Sequence, residues 1–109
     1  MAWISLCELP DLIEGTGKYI ELDGHHLAVF LHLGNVHVMD NRCPHAGGSM
    51  SAGWIDDHHS AVCPWHAWAF DLTTGCLRDA PTVKIGVYPT RLHERAGKPT
   101  LVQADLPTP

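Results

Sequence analysis

The stretch "HLAVFLHLGNVHVMDNRCPH", residues 26–45, holds two strands, a turn and the first of two reactive pairs. In "HLAVFLHL" (26–33) β-formers crowd together, with Leu27, Val29, Leu31 and Leu33 on one face. Gly34-Asn35 is a tight-turn signal, and "VHVMD" (36–40) runs back with Val36 and Val38 on one face, which predicts a hairpin. Further short strands are predicted at "KYIEL" (18–22), "SAVC" (60–63), "WAFDL" (68–72), "VKIGVY" (83–88) and "TLVQ" (100–103). Asp23-Gly24, Thr74-Gly75 and Gly97-Lys98-Pro99 read as the turns between them. "ELPDLIEG" (8–15) has room for a single helical turn, and no segment sustains a 3.6-residue period. The reading is an all-β fold of short antiparallel strands, a sandwich or partly open barrel.

At 109 residues the chain is expected to form one domain, residues 1–104, followed by a flexible tail at 105–109. Its formal charge of −5, from seven basic and twelve acidic residues, argues against nucleic acid as a partner. Residues 1–7 offer no basic n-region, and no apolar run approaches the roughly 20 residues of a membrane span. The expectation is a cytoplasmic protein with no membrane contact. Four cysteines stand at 7, 43, 63 and 76; without an export signal, paired Cys-His spacing reads as metal ligation rather than bridging.

The chemistry lies in two segments, "NRCPHAGGSM" (41–50) and "CPWHAWAFDL" (63–72). Each supplies one thiolate and one imidazole, Cys43-x-His45 and Cys63-x-x-His66, with seventeen residues between His45 and Cys63. Prolines 44 and 64 limit loop freedom, and Ala46, Gly47, Gly48 and Ala67 let backbone N–H groups approach a bound sulfur. A four-ligand set of this kind suits a structural zinc ion, which is one reading. Ordinary zinc fingers, however, bring two cysteines on one knuckle and two histidines on a helix. The mixed pairing fits a two-iron cluster, in which one iron takes both cysteines and the other both histidines. No paired carboxylates and no Ser/His/Asp arrangement mark a catalytic site, so the chain is not expected to be an enzyme on its own or to bind a small-molecule substrate.

"CPHAGG" followed by "CPWHAWAFDLTTG" resembles the Rieske [2Fe–2S] signature, and the resemblance covers most of the chain. It implies a Rieske-like fold with a two-loop cluster-binding part at about residues 41–82. Cys43 and Cys63 would hold the inner iron, and His45 and His66 the outer one. "DAPTVKIGVYP" (79–89) looks like the family's third, proline-bearing loop and the strand after it, and places Pro81 over the cluster. Trp65 and Trp68 are further candidates to cover the cluster, Trp65 equally a candidate to meet a partner.

Departures from the signature narrow the subclass. High-potential members join the two loops by a disulfide; the corresponding positions here are Gly48 and Trp65. Those members also place serine and tyrosine hydroxyls on the sulfurs, where this chain has Trp68 and Phe70. Hydrogen bonds to the sulfurs raise the potential, so their loss implies a value near the low end of the Rieske range, about −150 mV. Ala67 stands where glycine commonly follows the second histidine; if the position needs φ > 0, alanine costs about 1 kcal/mol. The resemblance thus implies a soluble Rieske ferredoxin, carrying single electrons from a flavin-containing NAD(P)H reductase to a terminal oxygenase. The alternative it allows is the small subunit of an assimilatory NAD(P)H nitrite reductase, with that enzyme's large subunit as partner.

Overall fold

The computed structural model describes residues 2–44 and 47–107, and their regular structure is nearly all strand. In chain order the strands are β1 (Ala2–Glu8), β2 (Gly17–Leu22), β3 (His25–His32), β4 (Asn35–Asp40), β5 (Trp54–Ile55) and β6 (Ser60–Val62). They continue as β7 (Ala69–Asp71), β8 (Cys76–Leu77), β9 (Ala80–Lys84), β10 (Val87–Tyr88), β11 (Thr90–Arg95) and β12 (Lys98–Leu106). All named strand pairs are antiparallel and fall into three sheets, β1-β12-β11, β10-β4-β3-β2 and β5-β6-β7-β8-β9. Among the described residues only single 3₁₀ turns interrupt them, at Leu9–Asp11 and Met50–Ala52.

The β3–β4 hairpin is the centre of the molecule, and it is buried on both faces. Leu27, Val29 and Val38 pack against Val102, Ala104 and Leu106 of β12 in one cluster. Ala28, Phe30 and Met39 face the other way, into a cluster with Cys43, Met50, Ala61, Cys63, Phe70 and Leu72. The four consecutive residues Leu27–Phe30 are all fully buried, so a strand between two layers reads as a continuous apolar run rather than an alternation. Sequence patterning captured only the Leu27/Val29 face.

Four departures from expectation have a clear physical reason. The hairpin turn is Leu33-Gly34, one residue earlier than predicted, with Asn35 already paired to His32. Both turn residues have positive φ (51° and 77°), as a two-residue type I′ connection requires, and Leu33 accepts exposure to provide one of them. The predicted strand 83–88 is two strands, β9 and β10, in different sheets. The break is at Ile85-Gly86, where a Cβ on Gly86 would come within 2.4 Å of the Asp40 carboxylate. The proline-bearing segment is not a loop: Pro81 is the second residue of β9. As β9 is a sheet edge, a residue without an N–H is tolerated there.

The tail is the fourth correction. Asp105 and Leu106 pair with Trp3 and Ala2, and Leu106 is fully buried. The inward alternation Val102, Ala104, Leu106 simply continues to the end of β12. Residues 108 and 109 lie outside the described residues.

Candidate functional site

The two candidate ligand loops leave two different sheets. The first follows β4 of the central sheet; the second is the β6–β7 connection of the five-stranded sheet. They meet over the Phe30–Phe70 cluster, in which Cys43 and Cys63 are both fully buried.

The first loop closes on itself. Cys43 N–H donates to the Gly48 carbonyl at 2.8 Å and Gly47 N–H to the Cys43 carbonyl at 2.8 Å. Its base is braced by side chains: Asn41 Nδ2 donates to Ser49 Oγ at 3.0 Å, and Ser51 N–H donates to Asn41 Oδ1 at 2.9 Å. Upstream, Tyr88 Oη donates to Asp40 Oδ1 at 2.6 Å, fixing the end of β4 just before the loop begins. The Arg42 guanidinium lies against Gly47, its Nε 3.3 Å from where a Cβ would stand. His45, the expected imidazole of this loop, lies outside the described residues.

The second loop is a hairpin closed by Cys63 N–H donating to the Trp68 carbonyl at 2.8 Å. Reversing the chain within so few residues takes left-handed backbone at both His66 (φ 66°) and Ala67 (φ 57°). The condition attached to Ala67 is therefore met: the position does need positive φ. His66 is exposed at the tip, three residues from a cysteine that is 0% exposed.

Between the loops the thiols face one another. The Cys43 side chain is within hydrogen-bonding reach of Cys63. Burial pushes the Cys63 thiol above its ordinary range, while the backbone N–H of Trp65, donating to Cys63, works against that shift. All four cysteines are free. Gly48 belongs to the same cradle: a Cβ there would stand 2.8 Å from Cys63 Sγ and 3.3 Å from Trp65 Cβ. The positions aligned above with the family's inter-loop disulfide are thus neighbours here, occupied by a glycine and a tryptophan.

Around this centre the other candidates divide. Trp65 is 54% exposed, lying over Gly48. Trp68 is half-buried against the cluster that holds the two cysteines. Pro81 is exposed on edge strand β9. A groove of ≈ 700 Å³ runs beside His66, lined by Trp54, Trp68, Leu77 and Val83 with Asp56 and Arg78 at its rim. Cys7 lies on β1, in a sheet that carries neither loop, and Cys76 on β8, next to β7 in the sheet that carries the second loop.

The donor set fits a [2Fe–2S] cluster with unlike ends. Two opposed thiols lie in an apolar, close-packed pocket, a backbone N–H is aimed at one of them, and an imidazole stands at the surface. Among the described residues no group of three or more His, Cys, Asp or Glu side chains is arranged to hold a single metal ion. Sequence reasoning singled out the two cysteines, which the structure brings together, but missed the Asn41–Ser49–Ser51 brace and the Tyr88–Asp40 pair. Their signal, small polar residues at loop ends and a tyrosine distant in sequence, acquires meaning only once the strands are paired.

Comparison with known proteins agrees with the geometry. Residues 2–89 match the Rieske [2Fe–2S] domain. The chain is 33% identical over 92 residues to the ferredoxin component of the naphthalene 1,2-dioxygenase system of Pseudomonas putida, a match covering 84% of this chain and 88% of that protein. Its fold superposes on the Sphingomonas yanoikuyae B1 ferredoxin with a TM-score of 0.80 at 28% identity, covering 97% of this chain and all of that one (100%). It superposes likewise on a Mycobacterium tuberculosis chain assigned as the small subunit of an NADH-dependent nitrite reductase, with a TM-score of 0.83 at 31% identity, covering 98% and 97% of the two chains. Sequence match, fold and the opposed cysteines agree: this chain belongs to the Rieske [2Fe–2S] family.

Proposed function

We propose that this protein is a low-potential Rieske ferredoxin, taking single electrons from a flavin-containing NAD(P)H reductase and delivering them to a terminal oxygenase. Cys43 and Cys63 hold the inner end of its cluster and His45 and His66 the outer end. The observation that carries the reading is the contrast within the second loop, a fully buried thiol and an exposed imidazole three residues apart. When bound, such a cluster supplies a one-electron couple. The chain's own residues set the terms on which that couple operates. Phe70 and Trp68 bring no hydroxyl near the sulfurs, which keeps the potential low, and burial keeps water from the thiolates. His66 and Trp65 stand at the surface, where a partner meets the outer end of the cluster.

Family membership favours the cluster over the structural zinc reading. Two relatives described above are oxygenase-type ferredoxins or ferredoxins by name, and this chain nearly matches their length. The likeness to the M. tuberculosis chain supports the second reading, a small subunit of a nitrite reductase. Four free cysteines suit a reducing cytoplasm; among the described residues no helix is long and apolar enough to cross a membrane.

The test is reduction of the holoprotein by NADH through the flavin reductase of a ring-hydroxylating dioxygenase system, followed by re-oxidation on adding its terminal oxygenase. Turnover that saturates with the concentration of this chain is the expected result. No transfer to the oxygenase, together with a stable complex with a nitrite reductase large subunit, decides for the second reading.

A further inference from the structure

Two histidines outside the cluster site meet head on across a seam in the fold. His32 ends β3 in the central sheet, and His59 precedes β6 in the five-stranded sheet. His32 Nε2 and His59 Nδ1 are 2.7 Å apart. The ring centroids are 5.0 Å apart, about the N···N distance plus the two ring radii, so the nitrogens point straight at each other. That is the geometry of one shared proton, with one ring donating and the other accepting. His59 is held there at φ 61°, a left-handed conformation unfavourable for a non-glycine residue, while its carbonyl accepts the Leu72 N–H at 3.1 Å.

The position of this contact gives it leverage. The ligand loops leave the carboxyl ends of β4 and β6, whereas the histidine pair sits at the opposite ends of those strands, beside Asn35 and Ser60. A second strap lies close by: the Leu72 carbonyl accepts from the His37 ring. The two sheets that each supply one ligand loop are therefore fastened, at the end remote from the loops, by imidazoles.

We infer that His32 and His59 form a proton-operated clasp, which holds the cluster-bearing sheet to the central sheet at neutral pH and releases it in acid. With one proton between the rings the hydrogen bond stands; with a proton on every ring nitrogen, two donors face each other and it is lost. Acid therefore loosens the seam without titrating a ligand. The surrounding charges are Glu14, whose carboxylate accepts from Leu33 and Gly34 N–H beside His32; Asp56, Asp57 and His58 in the loop of His59; His37 on β4; and Asp71 on β7. His37 acts in the same direction. Burial holds it below the ordinary imidazole range, so its contribution is present above the unfolded value and is lost as pH falls toward the folded one.

Because His37 responds to acid in every variant, the test is a difference. Thermal unfolding of the oxidised holoprotein is followed at pH 7.5 and pH 5 in the wild type, His32→Gln and His59→Gln. The fall in Tm on acidification should be about 4 °C greater in the wild type than in either variant. Independently, ¹⁵N-histidine NMR should detect a ¹⁵N–¹⁵N coupling between the two rings at pH 7.5 that disappears at pH 5. Equal falls in all three proteins, or no coupling at pH 7.5, overturn the inference.

Discussion

The two candidate ligand loops are held in place by different physical means. The first is held by polar side chains, the Asn41–Ser49–Ser51 brace, on a strand already anchored by Tyr88 and Asp40. The second is a short hairpin, closed by the Cys63 N–H on the Trp68 carbonyl, whose shape comes from left-handed backbone at His66 and Ala67. Each loop nonetheless delivers a cysteine that is 0% exposed to the same apolar cluster. Burial of the thiol is the shared requirement, and each loop meets it with the local chemistry its sheet allows.

The most drastic way to break the comparison is to remove a thiol. Cys43→Ser and Cys63→Ser should each abolish cluster assembly, seen as loss of iron, acid-labile sulfide and visible absorption. Cys7→Ser and Cys76→Ser should leave all three unchanged. His66→Cys should keep some cluster at a lower potential, because thiolate donates more negative charge than imidazole.

Next in size is the contact between the loops. Gly48→Ala places a Cβ 2.8 Å from the fully buried Cys63 Sγ and 3.1 Å from Trp65 Cγ. Overpacking of this kind costs about 1–3 kcal/mol. Iron content per chain should fall several-fold while the circular dichroism of the sheets is retained.

A smaller, purely electronic change tests the floor under the second loop. Phe70 is fully buried on β7, in the same cluster as both cysteines. Phe70→Tyr adds a hydroxyl with little change in volume, and donation to a sulfur should raise the potential by tens of millivolts, where about 59 mV is tenfold in a one-electron equilibrium. Protein-film voltammetry of the two proteins reads the difference.

The smallest effect addresses the backbone of the second loop. Ala67→Gly relieves a left-handed residue (φ 57°) but adds chain entropy to the unfolded state. A net gain of about 0.5 kcal/mol is expected by thermal unfolding, with the potential unchanged. Asn41→Ala probes the first loop in the opposite sense: it leaves the Ser51 N–H without its acceptor and should cost about 1–3 kcal/mol.

The same contrast explains what the residues alone could convey. The Cys-His spacing and the β-rich runs around Leu27–Phe30 announced the family and the all-β fold, because ligand type and strand propensity are local. The second buried face of β3 was hidden, since it exists only once β12 and the ligand loops cover opposite sides of the hairpin. Leu33 concealed the turn because a leucine at positive φ is tolerated only where the strands on either side dictate it. The end of β12 was hidden by Asp105 on the strand and Pro107 just beyond it, turn-like residues beside inward positions that are still apolar. Pro81 showed the reverse, a loop signal that an edge strand absorbed.

The central claim is a cluster held by two buried thiolates and two imidazoles, without hydroxyl donors to its sulfurs. Its most direct test is the reduction potential of the wild-type holoprotein by protein-film voltammetry at pH 7. A one-electron wave near about −150 mV is predicted, at the low end of the Rieske range. A wave well above zero would contradict the account, because it would require sulfur hydrogen bonds that Trp68 and Phe70 do not offer.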